Sequence, residues 1–242
     1  MSKEPKILFW DIETSYAITA VFGLYPESIS HNNILQDWKI ICGAWKFLGK
    51  KKVEAAAVSP KDKDDFNVVK KLREVLDDVD IIVHHNGDKF DIKKFNARLI
   101  YHRLPPLPLI PTIDTLKEVR KIASFTSHRL DYLGKHLLGA GKESTSPGLW
   151  LECLRNNQSA IKEMVKYNKV DVVRLEELYL VLKPYMKNHP HVGAMMGNRL
   201  SCPKCGHDKV KKNGIRYTAT GLPRQEIQCH NCHSYSKIPM KK

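Results

Sequence analysis

Two carboxylates lie two positions apart inside the first apolar run of the chain, which extends from Ile7 to Thr14. A buried strand is typically a short, continuous run of apolar residues, and acids are costly inside it unless something binds them. Because the side chains of a strand alternate between its two faces, Asp11 and Glu13 point to the same face. Two adjacent negative charges repel each other, and a divalent cation between them relieves the repulsion. The pair therefore predicts half of a metal site, and the alternative is an edge strand with hydrated acids.

Further carboxylates occur in two distant segments. Asp91 follows a short predicted strand at residues 80–84 and lies near the start of a predicted helix, and such junctions are where ligands bind in α/β sheets. Asp88, in the same loop, is predicted to cap that helix. Tyr167 and Asp171 are one turn apart on the longest predicted helix, residues 158–186, and share a face. If these segments converge on the first strand, four carboxylates form an all-oxygen pocket suited to two Mg²⁺ or Mn²⁺ ions: Asp11, Glu13, Asp91 and Asp171.

The elements that must position these residues alternate between strands and helices. Strands are predicted at residues 7–14, 38–47, 53–58, 80–84 and 109–115, and helices at 66–79, 91–100, 128–138 and 158–186. This order predicts an α/β fold in which the second and third strands form a hairpin beside the first. Glu176 is predicted to be hydrated, Cys42 and Cys153 to be unreactive core residues, and residues 139–144 to form a basic surface loop.

The C-terminal segment contains two Cys-x-x-Cys pairs separated by 23 residues. Each pair can place two thiolates on one ion, so together they predict one tetrahedral structural zinc site, with Cys202, Cys205, Cys229 and Cys232 as ligands. A segment this short has little core of its own, and metal binding supplies its folding free energy. A redox dithiol is the alternative, and His207, His230 or His233 could replace one cysteine as a ligand. Between the pairs, residues 209–224 are predicted to form a basic hairpin with Tyr217 exposed, suited to phosphates and stacked bases.

Charge and composition narrow the class of protein. The net charge is +14, of which residues 199–242 carry +8 through ten Lys or Arg and two acids. Such an excess indicates a polyanionic partner, because Lys and Arg bind phosphates with release of counterions. A hydrophobic content of 42% is that of a globular protein, and no apolar run reaches the length of a membrane span. The N-terminus leads directly into a predicted strand, so we expect a soluble, intracellular protein without a membrane partner.

In their order and spacing, these motifs resemble those of the DEDD superfamily of 3′→5′ exonucleases, which have an RNase H-like fold. The first motif, Asp-x-Glu, is present as DIE at residues 11–13, and the second, Asn-x-x-x-(Phe/Tyr)-Asp, as NGDKFD at residues 86–91. The residues of the second motif are similar to those of family B DNA polymerase proofreading domains and their stand-alone bacterial and viral relatives. The third, Tyr-x-x-x-Asp, is present as YNKVD at residues 167–171, which indicates the tyrosine subtype because the histidine of the other subtype is replaced by Lys166.

The resemblance implies a fold and a domain division. It covers residues 5–186 and implies an RNase H-like, mixed five-stranded sheet flanked by helices. We therefore predict an exonuclease domain at residues 1–186, a linker at 187–199 and a zinc ribbon at 200–242, the last outside the core family.

The resemblance also implies roles for the motif residues. Asp11, Glu13 and Asp171 would hold the metal that activates a water, and Asp11 would bridge to a second metal at the leaving oxygen. Asp91 would act mainly through the outer shell and the second metal. Tyr167 would orient the attacking water, because a tyrosine of ordinary pKa near ~10 is a poor base at neutral pH.

Contacts to the substrate are implied for three further residues. Asn86 and Phe90 would contact the terminal nucleotides, and Thr14 the 3′ end through its backbone. For Phe90 a core position is the alternative. The substrate implied is nucleic acid, DNA with a free 3′ end being favoured, and a replication or repair protein is an expected partner.

Two other functions use the same residues. One is a nucleic-acid-binding protein with a silent carboxylate pocket, and the other a structure-specific endonuclease with the same metal site. Retention of four acids and the tyrosine argues against the silent pocket, since a purely structural site need not keep a charge cluster that costs stability.

Overall fold

The structure is a computed structural model, described here for residues 4–26, 28–139 and 146–240. Its strands are β1 (Ile7–Thr14), β2 (Ile18–Thr19), β3 (Ile34–Gln36), β4 (Ile40–Phe47), β5 (Glu54–Ala57), β6 (Ile81–His84), β7 (Thr112–Asp114), β8 (Val210–Tyr217), β9 (Pro223–Cys229) and β10 (Tyr235–Pro239). Its helices are α1 (Phe66–Leu76), α2 (Asp91–Tyr101), α3 (Thr115–Ile122), α4 (Leu130–Leu138), α5 (Pro147–Leu154), α6 (Gln158–Leu182) and α7 (Val192–Met195).

A mixed five-stranded sheet of order β5-β4-β1-β6-β7 forms the centre of the large domain. β1 pairs antiparallel with β4 and parallel with β6. Its apolar side chains are buried on both faces, because Leu8, Trp10 and Ile12 pack with α1 and α2, whereas Ile7 and Phe9 pack with α6. The predicted α/β sheet flanked by helices, with β4 and β5 as a hairpin, is confirmed.

Several elements are absent from the sequence-based prediction. α5 begins with Pro147, whose fixed backbone angle and missing N–H suit a first helical turn. The short strands β2 and β3 pair within the turn-rich segment after β1. The helix predicted at 128–138 is present as α4, and Gly139 follows its last residue in a left-handed conformation (φ 65°), which glycine adopts without steric cost. The rest of the predicted basic loop 139–144 lies outside the described residues.

The C-terminal segment forms a three-stranded antiparallel sheet of order β10-β9-β8, and β8 with β9 is the predicted basic hairpin. Residues 187–199, predicted as a linker, contain α7 and pack against both units. The Val192 N–H donates to Pro203 O (2.7 Å), and a Cβ on Gly193 would lie 2.0 Å from Ser201 Oγ. The small sheet is therefore docked on the large domain through this segment.

Two acidic residues, Asp88 and Glu176, have partners that differ from those predicted from the local sequence. Asp88 does not cap α2, which begins at Asp91; its carboxylate contacts Thr112 Oγ1 (2.8 Å) and Lys117 Nζ (2.6 Å). Glu176 is not hydrated, because it is buried and forms an ion pair with Lys46. Both predictions were wrong because the partner residues lie 24 to 130 positions away along the chain.

None of the helices within the described ranges is long and apolar enough to cross a membrane.

Candidate active site

The C-terminal end of β1 presents two carboxylates on one face. Asp11 and Glu13 continue the face on which Ile7 and Phe9 pack against α6, and both side chains are partly buried. Their neighbours across the antiparallel pair are Ala44 and Cys42. Because the buried apolar part of β1 ends at Ile12, Asp11 and Glu13 lie at the boundary between the core and solvent.

The carboxylate of Asp91 is joined directly to β1. Asp91 is the first residue of α2 and is 3% exposed, and its Oδ1 accepts a hydrogen bond from the Ile12 N–H (3.1 Å). Burial raises the pKa of Asp91 to about 6, and the Ile12 N–H partly offsets this effect. A carboxyl group with a raised pKa is one for which a bound cation would be favourable, since the cation stabilises the ionised form.

Asp171 and Tyr167 lie one turn apart on α6 and face the same acids. Asp171 is 9% exposed, and Tyr167 is partly buried and hydrogen-bonded to it. Burial, followed by the charges of Asp171, Glu13 and Asp11, holds the pKa of Tyr167 far above its usual value. Three carboxylates from β1 and α6 therefore lie close enough to this phenol to disfavour its ionised form. At neutral pH this phenol keeps its proton and acts as a hydrogen-bond donor.

Asn168 is a site residue that sequence analysis missed. It is fully buried, and its Nδ2 donates to Asp11 Oδ2 (2.5 Å), while the Cys42 thiol lies 3.8 Å from its Oδ1. Burial and the charges of Glu13 and Asp11 raise the pKa of Cys42, so this thiol stays protonated. The available signal was a polar residue inside the YNKVD motif, three positions before Asp171 on the helix.

Two of the three predicted substrate contacts share an open pocket of about 390 Å³ at the end of β1. Thr14 and Phe90 line it with Glu13, and Phe90 is 39% exposed, which excludes the alternative core position. Trp150, also missed by sequence analysis, forms another wall, and its ring packs edge-on against Tyr167 with 6.2 Å between centroids. The pocket thus connects Glu13 to two aromatic side chains, Phe90, which is exposed, and Trp150, which is partly buried.

Asn86 lies elsewhere along the same edge of the sheet. It adopts a left-handed conformation (φ 68°), and its N–H donates to Asp114 Oδ1 (2.9 Å). Its side chain lines a different pocket of about 530 Å³, which also contains Arg120 and Arg129. Asn86 therefore lines a different pocket from Thr14 and Phe90, although the Phe90 N–H donates to Asn86 O (3.1 Å).

The four cysteines of the C-terminal sheet form one cluster whose sulfurs lie within 4.8 Å of one another. Cys202 and Cys232 are 3.7 Å apart, and Cys205 and Cys229 are 3.6 Å apart. A tetrahedron with Zn–S bonds of about 2.3 Å has edges of roughly 3.8 Å, so the cluster fits a zinc ion. Among the described residues, no histidine belongs to this cluster, and all four thiols are free of disulfides.

Comparison with known proteins identifies the large domain. A family model of the RNase H superfamily matches residues 8–183. The chain belongs to the RNase H superfamily. Its central sheet and flanking helices have the corresponding mixed α/β arrangement, and the domain is a nuclease domain of RNase H type.

Two polymerases are similar to parts of this RNase H superfamily protein. PolC-type DNA polymerase III of Ureaplasma parvum serovar 3 is 44% identical over 72 residues, which are 30% of this chain and 5% of the polymerase. The family B DNA polymerase of the archaeon Pyrobaculum calidifontis shares the fold with a TM-score of 0.54 and 15% identity, covering 89% of this chain and 31% of the polymerase. The chain therefore spans a small part of each relative.

Proposed function

We propose that this chain is a metal-dependent 3′→5′ exonuclease that hydrolyses phosphodiester bonds of nucleic acid, with single-stranded DNA 3′ ends as its favoured substrate. The observation that carries the proposal is the meeting of α6 and β1: Asn168 donates to Asp11 Oδ2 (2.5 Å) beside Tyr167, whose pKa is raised first by burial and then by the charges of the site's acids. Asp91 is bonded to the same strand through the Ile12 N–H. DNA is favoured because both similar proteins are DNA polymerases.

The donor set fits two hard divalent cations. Carboxylate oxygens from β1, α2 and α6 are the ligands that Mg²⁺ and Mn²⁺ prefer, and Asp11, Glu13, Asp91 and Asp171 would hold them. Bound there, such ions supply an activated water and stabilise charge on the leaving 3′ oxygen.

The residues of the chain then orient the reaction. The Tyr167 hydroxyl stays protonated because of its raised pKa, and it hydrogen-bonds to Asp171. If Asp171 instead held a metal, this hydroxyl would be released to donate a hydrogen bond to the attacking water, and it would not act as the base. Asn168 holds Asp11 Oδ2 by a hydrogen bond and so orients a carboxylate that would be one of the metal ligands. Thr14, Phe90 and Trp150 enclose the terminal nucleotide in the pocket beside Glu13.

The test is digestion of matched 3′- and 5′-labelled single-stranded DNA and RNA with Mg²⁺, Mn²⁺ or a chelator. Wild type should shorten DNA stepwise from the 3′ end only with metal. Asp11→Ala and Asp171→Asn should abolish cleavage while the fold is retained, whereas Glu177→Gln, an exposed acid on the same helix, should leave the rate unchanged.

The other outcomes separate the alternatives. Internal cuts would indicate an endonuclease, and binding without cleavage a silent pocket. Activity of Asp11→Ala within about tenfold of wild type, a barrier change of only ~1.4 kcal/mol, would refute the metal assignment.

A further inference from the structure

A groove of about 770 Å³ separates the end of α6 from the edge strand β10 of the cysteine-containing sheet. We call it the α6–β10 groove. The side chains that matter for its chemistry are Tyr185, Lys187, Tyr235, Lys237, Lys204 and His189. Among the described residues that line it, none is acidic.

Each wall of the groove carries the same pair of residues, a tyrosine and a lysine two positions apart. One wall has Tyr185 and Lys187, with Met186 between them turned into the core (1% exposed). The other has Tyr235 and Lys237, which share one face of β10 because side chains of a strand alternate. Both tyrosines are well exposed, at 70% and 58%. Two aromatic faces and two ammonium groups therefore line opposite sides of one opening.

Partly buried contacts fix the relative position of the two walls. Lys204 Nζ, from the turn between Cys202 and Cys205, donates to Pro184 O (2.7 Å) just after the end of α6. The Tyr179 hydroxyl and His189 Nε2 form a hydrogen bond of 2.9 Å beneath the groove. Burial lowers the pKa of His189 to about 4, so this ring is neutral at pH 7. The accessible positive charge of the groove therefore comes from its exposed lysines.

We propose that the α6–β10 groove binds single-stranded nucleic acid, with bases stacked on Tyr185 and Tyr235 and phosphates paired with Lys187 and Lys237. This inference rests on the proposed function, since it adds a second contact region for the same substrate. Sequence-independent single-strand binding commonly combines a positively charged groove with exposed aromatic rings. Duplex DNA fits less well, because its bases are already stacked and cannot pack on the tyrosines.

The experiment measures binding of fluorescent single-stranded DNA and RNA by zinc-loaded, full-length protein carrying Asp11→Ala to prevent cleavage. Replacing both lysines (Lys187→Gln with Lys237→Gln) should make the plot of log affinity against log salt shallower by about 1.4, because each phosphate contact on a single strand contributes roughly 0.7. Replacing both tyrosines (Tyr185→Ala with Tyr235→Ala) should weaken binding at least ~10-fold without changing that slope.

The matched control removes two exposed lysines from α1, Lys70→Gln with Lys71→Gln, and should leave the slope within error of the parent. Zinc content confirms that every variant retains a folded C-terminal sheet. If the groove variants bind as the α1 control does, the groove is not a binding surface, although the proposed exonuclease activity can still stand. If the parent protein binds no single strand, the groove proposal is overturned, whereas the proposed function is decided separately by whether wild type digests the labelled DNA.

Discussion

The acids of the site differ in burial and in the hydrogen bonds that stabilise their negative charge. Asp11 is partly exposed and receives a hydrogen bond from Asn168, whereas Asp91 is almost completely buried and receives one from a backbone N–H. Burial of an ionised carboxylate costs free energy that hydrogen bonds only partly recover. Asp91 is therefore the acid whose charge should cost the most when no cation is bound.

Asp91→Asn should stabilise the protein at high pH when Mg²⁺ and Mn²⁺ are absent. The carboxyl has a pKa of about 6 when folded and 3.8 as its ordinary value, so the folded state binds the proton more tightly. Wild-type stability should then fall as the pH rises from about 4 through 6, by up to roughly 3 kcal/mol. Asparagine keeps an acceptor for the Ile12 N–H but carries no charge. Urea unfolding at several pH values measures the difference.

The gain in the free energy of unfolding should shrink below pH 5, where the folded wild-type carboxyl is protonated. Added Mg²⁺ should stabilise wild type more than the variant, because the variant has lost a ligand. Equal stability of the two proteins at all pH values would mean that the Asp91 carboxylate is well hydrated.

At the scale of elements, one buried acid connects β4, α1 and α2. Asp65 is fully buried and accepts hydrogen bonds from the Ile40 N–H (2.8 Å), from Arg98 Nε (2.8 Å) and from His102 Nε2 (2.7 Å). These partners lower the pKa of Asp65 although its burial opposes them. The interaction places α2, and with it Asp91, relative to the sheet.

Asp65→Asn should lower the free energy of unfolding by about 3 kcal/mol or more, because it leaves the buried Arg98 charge without its partner. Asp64→Asn is the control: residue 64 is at most partly buried, and asparagine can still accept the hydrogen bond from the Phe66 N–H. The wild-type advantage should be present above about pH 4 and be lost as the pH falls through the lowered pKa of Asp65. Denaturant unfolding tests this, and a loss no larger than that of the control would contradict it.

The sequence predicted the central sheet because hydrophobic periodicity is local. β1 and α6 carry continuous apolar patterns, and the motif residues Asp11 and Asp171 lie at fixed positions within them. Contacts between distant segments were not predictable in this way. Glu176 has a charged partner 130 positions away, and Trp150 lies on α5, whose residues show no clear apolar stripe. The role of such residues depends on contacts between distant segments, so it could be recognised only from the three-dimensional structure.

At the scale of the molecule, residues 187–199 join the large RNase H-type domain to the small, positively charged sheet that carries the four-cysteine cluster. The Tyr179–His189 hydrogen bond and the close contact between Gly193 and Ser201 join them without a disulfide among the described residues. Most of the core nevertheless belongs to the large domain, whose buried residues form two clusters around β1. The large domain should therefore be able to fold without the small sheet.

Cys202→Ser with Cys205→Ser should remove zinc, which we expect at one ion per chain, and unfold the small sheet. The small sheet buries few apolar side chains, Ile227 and Ile238 among them, so metal binding must supply most of its folding free energy. Binding of long single strands should weaken, while the rate at saturating substrate should stay near that of wild type because the carboxylates belong to the other domain. Atomic absorption, circular dichroism and kinetics measure the three effects.

Cys153→Ser is the control for this prediction, because Cys153 is buried in the core of the large domain and lies outside the four-cysteine cluster. It should retain the zinc even if it costs stability. Unchanged zinc content in the double variant would refute the ligand assignment. A large loss of the saturated rate, with normal zinc-free folding of the large domain, would instead show that the small sheet contributes to the chemical step. The kinetic comparison therefore distinguishes a small sheet that only binds the nucleic-acid substrate from one that also contributes to the active site.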